Sequence, residues 1–239
     1  RHFDRFVERA ESAWPLKGTK WTRFYLNPAD CSLGVKTAAA KKVLRFDAMG
    51  DGITFLTPPL THETEITGPS ALKLYVSSST SDADIFVVLR VFSSDLKEIV
   101  FQGAIDPHTP VGQGWLRASH RALDKKLSKP YRPYHTHTRK QPLQPGQVVP
   151  LDIEIWPTSI VVPAGCRVGV TVRGKDYVYP GGSGGRQSNF KNELTGCGPF
   201  LHNDPRDRPP EIFGGVTSLH FGGTARPSLL LPIIPAKRK

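Results

Sequence analysis

The chain has 239 residues, and its formal net charge at pH 7 is +11. A domain of this size buries roughly 70% of the surface that its unfolded chain exposes, so it needs neither disulfides nor a metal ion to be stable. No run of 18 apolar residues occurs in the sequence, which excludes a membrane-spanning helix.

The chain begins with Arg1 rather than methionine. We therefore expect it to be a fragment, a processed form or the product of an incomplete gene model. Its three cysteines, Cys31, Cys166 and Cys197, have no metal-ligand spacing. Cys166 lies on the apolar phase of a predicted strand, which favours a small core residue. The scarcity of cysteine favours a reducing, intracellular compartment.

The first twelve residues have helical spacing, because Phe3, Phe6 and Val7 fall at positions i, i+3 and i+4. This spacing predicts a short helix at the N-terminus. After it, short apolar runs alternate with turns, a pattern that is typical of strands. The predicted strands lie at 24–26, 43–46, 53–56, 71–78, 85–92, 98–104, 115–120, 148–156, 167–172, 218–221 and 228–234.

The clearest strands lie between Gln147 and Val172. Apolar and polar residues alternate there with period two, which places one set of side chains on a buried face. The six residues predicted to be buried are Leu151, Ile153, Ile155, Val168, Val170 and Val172. Pro157, Pro163 and Gly165 are predicted to lie in the connection between the two strands.

The run from Ile85 to Phe92 is apolar almost throughout, which predicts a central strand covered on both faces. About a dozen short strands at turn-rich spacing indicate an all-β sandwich rather than an α/β fold. A two-layer jelly roll also limits exposed strand edges. We therefore predict a jelly-roll β-sandwich, similar to galactose-binding domains, with a short N-terminal helical segment.

A basic stretch with two tyrosines, Tyr131 and Tyr134, lies between two of the predicted strands. Its basic residues are Arg117, Arg121, Lys125, Lys126, Lys129, Arg132, Arg139 and Lys140. Basic residues among aromatics suit a nucleic-acid groove. The favoured interpretation is a long solvated loop that the tyrosines anchor to the sheet, because no known binding module accompanies the charge.

The segment from Gly174 to Arg208 is irregular and glycine-rich. It is either a loop on the rim of the sandwich or a flexible surface insertion. Residues 181–185, Gly-Gly-Ser-Gly-Gly, formally match the nucleophile motif of serine hydrolases. The context is wrong, because Pro180 stands where an apolar strand should end and polar residues follow where a helix should start. Ser183 is therefore not expected to be a nucleophile.

Five histidines invite a metal interpretation: His108, His120, His135, His137 and His202. The spacing supplies no three- or four-ligand set, so surface histidines are the favoured interpretation. Asp82, Asp84 and Asp106 do not form a calcium loop. The sequence therefore predicts no metal site, no cofactor and no catalytic residue.

Several motifs, in order along the chain, resemble one known family. They are the alternating segment from Gln147 to Val172 and five others: A-W-P-L-K-G-T-K-W-T-R-F-Y-L at 13–26, S-T-S-D-A-D-I-F-V-V-L-R-V at 79–91, G-W-L-R-A-S-H-R at 114–121, H-N-D-P-R-D-R-P at 202–209 and P-S-L-L-L-P-I-I-P at 227–235. Together they resemble the C-terminal β domain of the CocE/NonD serine hydrolases, the family of cocaine esterase, α-amino-acid ester hydrolases and X-prolyl dipeptidyl-peptidases.

The resemblance implies a domain that follows an α/β-hydrolase domain and carries none of the catalytic triad. It divides the chain into the end of the hydrolase-domain helix and a linker at 1–23, the sandwich at 24–235 and a basic tail at 236–239. The implied role is to support the hydrolase domain, form a wall of its substrate cleft and contribute to oligomer contacts. No membrane or nucleic-acid partner is expected.

Four residues are the candidates for the contact with the hydrolase domain: Asp106, His108, Trp115 and His120. A large aromatic residue beside two glycines suits an interface anchor, although ordinary core packing explains Trp115 equally well. Two other functions remain open: a stand-alone module that binds a carbohydrate or another ligand through its rim loops, and a binder of nucleic acid or acidic surfaces through residues 117–140.

Overall fold

The computed structural model describes residues 6–37, 41–103, 105–181, 194–198 and 201–236. These residues form an all-β domain of two curled antiparallel sheets. The strands are β1 Lys20–Leu26, β2 Leu33–Gly34, β3 Lys42–Asp47, β4 Ile53–Leu56, β5 Thr64–Ser78, β6 Asp84–Phe92, β7 Glu98–Ile99, β8 Gly112–Arg117, β9 Val149–Val162, β10 Arg167–Arg173, β11 Val216–Phe221 and β12 Ser228–Ile234. The described helices are one 3₁₀ turn at Ala118–His120 and one turn of α-helix, α1, at Pro210–Phe213.

The first sheet has seven strands in the order β2-β1-β12-β5-β11-β3, with β9 paired to β5. The second sheet has five strands in the order β4-β10-β6-β7, with β8 also paired to β6. Strand β1 lies beside β12, so the two ends of the described chain meet within one sheet. No described helix is long and apolar enough to cross a membrane.

The hydrophobic core lies between the sheets and consists of alternate residues of their strands. All six side chains that period two predicts to be buried are in this core. Strand β6 is buried on both faces, as its apolar run predicts. Cys166 also belongs to the core, and the sequence-based prediction for it is confirmed.

Strands β5 and β9 form a two-stranded ribbon that is longer than the sequence predicts. Their ladder runs from Thr64–Val162 to Val76–Val149 and changes register between Gly68 and Ser70. Pro157 lies on β9 beside this irregularity. A bulge accommodates proline because the ladder is already interrupted there. The prediction that Pro157 ends the strand is therefore wrong.

The predicted N-terminal helix is not supported. Residues 1–5 lie outside the described part of the chain, and residues 6–12 are not helical. This segment lies along the first sheet, where the Arg9 guanidinium donates hydrogen bonds of 2.8 and 3.3 Å to the Glu65 carboxylate. The spacing of Phe6 and Val7 fits a helix, but both side chains are exposed here. An apolar stripe stabilises a helix only where it packs against a partner surface.

Each sheet carries a covering on its outer face. The basic strap, residues 121–147, crosses the first sheet, where the Tyr131 ring stacks on Trp21 of β1 at a centroid distance of 4.4 Å. This contact confirms that a tyrosine anchors the loop to the sheet. On the second sheet, Tyr177 lies against Arg90, with 5.7 Å from the guanidinium to the ring centroid. His202 covers Phe86 at 5.4 Å between ring centroids.

Candidate inter-domain face

The two sheets approach each other closely where β8 meets β9. A Cβ atom on Gly114 would lie 2.0 Å from the Glu154 carbonyl oxygen, so only glycine fits at this contact. A Cβ atom on Gly112 would lie 3.2 Å from the Trp156 carbonyl oxygen. Because inward and outward side chains alternate along a strand, the residue between Gly114 and Leu116 points outward. That residue is Trp115.

Trp115 lies in an aromatic patch, which we define as Trp115, Trp156 and His202. The Trp115 and Trp156 rings meet edge to face at a centroid distance of 5.0 Å. The His202 ring lies 5.8 Å from Trp115. Trp156 is 62% exposed, whereas Trp115 beneath it is half-buried. The patch therefore presents a large aromatic surface to solvent at the edge where the sheets meet.

Asp176 fixes the orientation of His202. One carboxylate oxygen of Asp176 lies 2.9 Å from His202 Nδ1, and the other accepts the His202 backbone N–H at 2.6 Å. The hydrogen bond that the His202 ring donates to Asp176 raises the pKa of His202, against the opposing effect of burial. Burial alone raises the pKa of Asp176, but the hydrogen bonds from His202 outweigh it and hold that pKa below its usual value. The pair thus places a partly exposed imidazole with increased cationic character in the patch.

Asp84 ties the covering of the second sheet to the strands. Its carboxylate accepts two hydrogen bonds from Arg117, at 2.8 and 3.0 Å, and one from Arg208 at 2.9 Å. Arg117 also donates to Asp207, and Arg208 donates to the His202 carbonyl oxygen. The Arg208 guanidinium lies over the Phe86 ring. This network holds His202 in place beside Trp115.

Asp106 and His108 lie in a neighbouring turn. The buried Asp106 carboxylate accepts backbone N–H groups from Gly196 at 2.7 Å and Gly198 at 3.0 Å. His108 stacks on Tyr179 at a centroid distance of 4.2 Å. Asp106 therefore organises the 194–198 segment. The buried carboxylate thus joins the 106–108 turn to the 194–198 segment through backbone amides.

The predicted site residues do not form a single cluster. The 194–198 segment links Asp106 to the vicinity of Trp115, because Gln113 of β8 donates to the Gly196 carbonyl oxygen at 3.2 Å. His120 instead contacts His137 of the basic strap, with 3.1 Å between their Nδ1 atoms. Sequence reasoning missed Trp156 and Asp176, and it interpreted His202 as a surface histidine rather than as a neighbour of Trp115. The alternation along β9 does place Trp156 on the outward face, but no pattern relates it to Trp115.

The described residues show no hydrolytic centre. Ser183 lies outside them. Within the described ranges, no three histidine, cysteine, aspartate or glutamate side chains are grouped to hold a metal ion. Cys197 lies near the patch, but burial raises the pKa of its thiol to about 12, with the charges of Asp176 and Asp106 adding to the effect. A thiol of that pKa is not a nucleophile at neutral pH.

A groove of about 570 Å³ lies beside the N-terminal segment. Its apolar lining includes Phe6, Trp14, Phe101 and Ile160. Phe6 is 87% exposed and Trp14 is 58% exposed. Large exposed apolar side chains that lie together usually mark a surface that another polypeptide covers.

Two curated proteins are similar to part of this chain, and the names of both describe a serine esterase. A protein of Mycobacterium bovis whose name describes it as a candidate serine esterase is 32% identical over 157 residues, which is 62% of this chain and 21% of that protein. A similarly described protein of Mycobacterium tuberculosis matches to the same extent. This chain thus spans about a fifth of the length of the curated relatives it matches.

Solved structures support the same fold. A CocE/NonD family hydrolase from Staphylococcus aureus matches with a TM-score of 0.78 at 24% identity, over 95% of this chain and 39% of that one. An aminopeptidase from a marine sediment Thaumarchaeota archaeon gives 0.62 at 15% identity, over 94% and 38%. An α-amino acid ester hydrolase gives 0.56 at 16% identity, over 89% and 36%.

The match to a protein family covers most of the chain. Residues 2–206 match the X-Pro dipeptidyl-peptidase C-terminal non-catalytic domain, which confirms the resemblance that the sequence motifs indicate. In CocE/NonD enzymes this domain follows the α/β-hydrolase domain. The chain belongs to the family of X-Pro dipeptidyl-peptidase C-terminal non-catalytic domains of CocE/NonD hydrolases.

Proposed function

We propose that this chain is the C-terminal domain of a longer CocE/NonD-type serine hydrolase and supports that enzyme's catalytic domain. The family match over residues 2–206 carries the proposal. The parent enzyme cleaves esters or X-Pro peptides through an acyl-enzyme, with its serine, histidine and acid in the preceding domain. In this proposal the linker precedes β1, which begins at Lys20 rather than after residue 23, the sandwich up to residue 235 is a jelly roll similar to galactose-binding domains, and residues 236–239 are a basic tail.

The aromatic patch is the proposed docking face. Trp156 projects from the edge where β8 and β9 meet, and Trp115 supports it from below. An aromatic anchor with a positioned polar neighbour, here His202, is typical of the centre of an interface. Contacts between domains of one chain bury on the order of 600–1,500 Å², so the patch is the centre of a larger surface.

The exposed apolar residues of the linker give independent support. Phe6, Val7 and Trp14 lie at the end of the chain to which the catalytic domain is joined, and all three are exposed. Leaving them in water loses the free energy of burying them, about 1.5–3 kcal/mol for a fully buried side chain of this kind. A preceding domain that packs on them recovers this free energy.

Hydroxyl-radical footprinting of the complete gene product, compared with this chain alone, tests the docking face. We expect Trp156 to be oxidised several-fold more slowly in the complete protein. Tyr134, an exposed residue of the basic strap, is the internal control and is expected to react equally in both. Equal oxidation of Trp156 in both proteins removes the patch from the interface.

The Trp156→Ala variant separates docking from stability. Because the side chain is largely exposed, the isolated chain is expected to melt within 1–2 °C of the wild type, roughly the effect of a surface substitution. The complete enzyme is expected to lose activity or inter-domain stability. A complete enzyme that is unaffected by this substitution contradicts docking at Trp156.

A further inference from the structure

Three histidines that are distant in sequence converge where the basic strap meets the 3₁₀ turn. His120 ends that turn, while His135 and His137 belong to the strap. The Nδ1 atoms of His120 and His137 are 3.1 Å apart, and the ring centroids are 5.2 Å apart. The His135 ring lies 6.0 Å from His137. None of these contacts involves the aromatic patch.

The separation of the two Nδ1 atoms suits a shared metal ion. The two Nδ1 atoms share a hydrogen bond of 3.1 Å. Two imidazole nitrogens bound to one tetrahedral Zn²⁺ at about 2.0–2.1 Å lie about 3.4 Å apart, so an ion that replaces the shared proton needs only a small separation of the two rings. Imidazole is a good ligand for Zn²⁺, Cu²⁺ and Ni²⁺. We propose that His120 and His137 bind a divalent transition-metal ion, with water completing its coordination.

His135 is placed to strengthen this site. Its Nε2 atom is buried and has no hydrogen-bond partner. An imidazole nitrogen that binds a metal ion must be unprotonated, and Nε2 is the ring nitrogen of His135 that no hydrogen bond occupies.

The arrangement in the structure is a two-histidine site rather than a closed three-histidine set, consistent with the absence of a three-ligand group among the described residues. Rotation of the His135 side chain would bring its Nε2 atom to the ion as a third ligand. An ion held by His120 and His137 closes the loop between them and ties the basic strap to the 3₁₀ turn that follows β8. Since the unfolded chain does not preform the site, binding adds to the stability of the fold.

Zinc titration of the EDTA-treated chain tests the site, with isothermal calorimetry for affinity and thermal melting for stability. We expect binding of one Zn²⁺ per chain and a melting temperature that rises with zinc concentration. His120→Asn and His137→Asn are each expected to weaken binding at least 10-fold, and His135→Asn several-fold. Asparagine suits position 137, because His137 has a φ of 51° and asparagine tolerates that region.

His62→Asn is the matched control, because His62 is an exposed histidine whose ring is hydrogen-bonded to Thr61 and to no other histidine among the described residues. It is expected to bind zinc as tightly as the wild type. Far-UV circular dichroism of each variant establishes that the fold is kept. The proposal is overturned if the wild type shows no saturable zinc binding, or if the His120 and His137 variants bind zinc as the wild type does, which is adventitious binding. Neither result depends on the proposed hydrolase function.

Discussion

At the scale of single residues, the Asp84 carboxylate joins two arginines that cover the second sheet. Asp84 forms ion pairs with two guanidinium groups, those of Arg117 and Arg208, and the Arg208 residue is 4% exposed. Removing one member of a buried ion pair leaves an uncompensated charge, which costs more than the pair itself contributes. The same network holds the segment that carries His202.

Asp84→Asn is therefore expected to destabilise the chain by about 3–5 kcal/mol, measured as a lower midpoint of urea unfolding. Asparagine keeps the size of the side chain but not its charge. Asp204→Asn is the control, because Asp204 makes an exposed pair with Arg206, and it is expected to leave the midpoint unchanged. An Asp84 variant as stable as the wild type contradicts a structural role for the network.

The Asp176–His202 pair predicts a pH dependence. The pKa of His202 is raised, so its stabilising contribution is complete below about pH 6.5, its unfolded value, and is lost as pH rises through the folded pKa. The pKa of Asp176 is lowered, so its contribution is present above about pH 4 and is lost as pH falls through the folded pKa. The pair is therefore expected to stabilise most between about pH 4 and 6.5.

NMR titration of the His202 ring protons checks this directly. The midpoint is expected above the ordinary histidine value in the wild type and below that wild-type midpoint in Asp176→Asn. His220, whose pKa burial lowers, is a reporter within the same spectra and is expected to titrate alike in both proteins. Identical His202 midpoints in the two proteins rule out Asp176 as the cause.

At the scale of elements, the close approach of β8 and β9 decides where the aromatic patch forms. Gly114 allows the two backbones to touch, and this contact brings Trp115 of one sheet against Trp156 of the other. Without it the two tryptophans are outward residues of separate sheets. The position of the patch is thus a property of the contact between the strands rather than of either strand alone.

Gly114→Ala is expected to cost about 3 kcal/mol or more, at the upper end for overpacking, because the new methyl group meets backbone that cannot rotate away. Urea unfolding gives the loss, and the Trp115–Trp156 contact is expected to open. Gly34→Ala is the matched control within a strand, since a Cβ atom there meets nothing within 4 Å. Equal stability of the two variants contradicts the close approach.

Strands with strict alternation could be predicted from the sequence, whereas the ribbon of β5 and β9 could not be predicted in full. Leu151, Ile153 and Ile155 are buried because period two is dictated by the backbone. Pro157 favours the end of a strand in isolation, but pairing with the opposite strand overrides this local preference, and the two strands form a bulge there. Partner strands cannot be identified from local pattern.

At the scale of the whole molecule, the fold depends on contacts between the ends of the chain. Strand β12 pairs with β1 on one side and β5 on the other. The candidate face shows the same dependence, since the sequence points to Trp115 but His202 and Trp156 reach it only through the closed fold. The family motifs do indicate the fold. A resemblance to whole domains carries information on which strands pair, whereas the period of the apolar residues does not.

We propose that this chain supports a hydrolase domain and does not itself catalyse hydrolysis. The most direct test is turnover of activated esters and X-Pro anilides by the purified chain, compared with its Ser183→Ala variant. We expect no turnover above the buffer rate for either protein, because the family domain is non-catalytic. Turnover by the wild type that disappears in Ser183→Ala would contradict it.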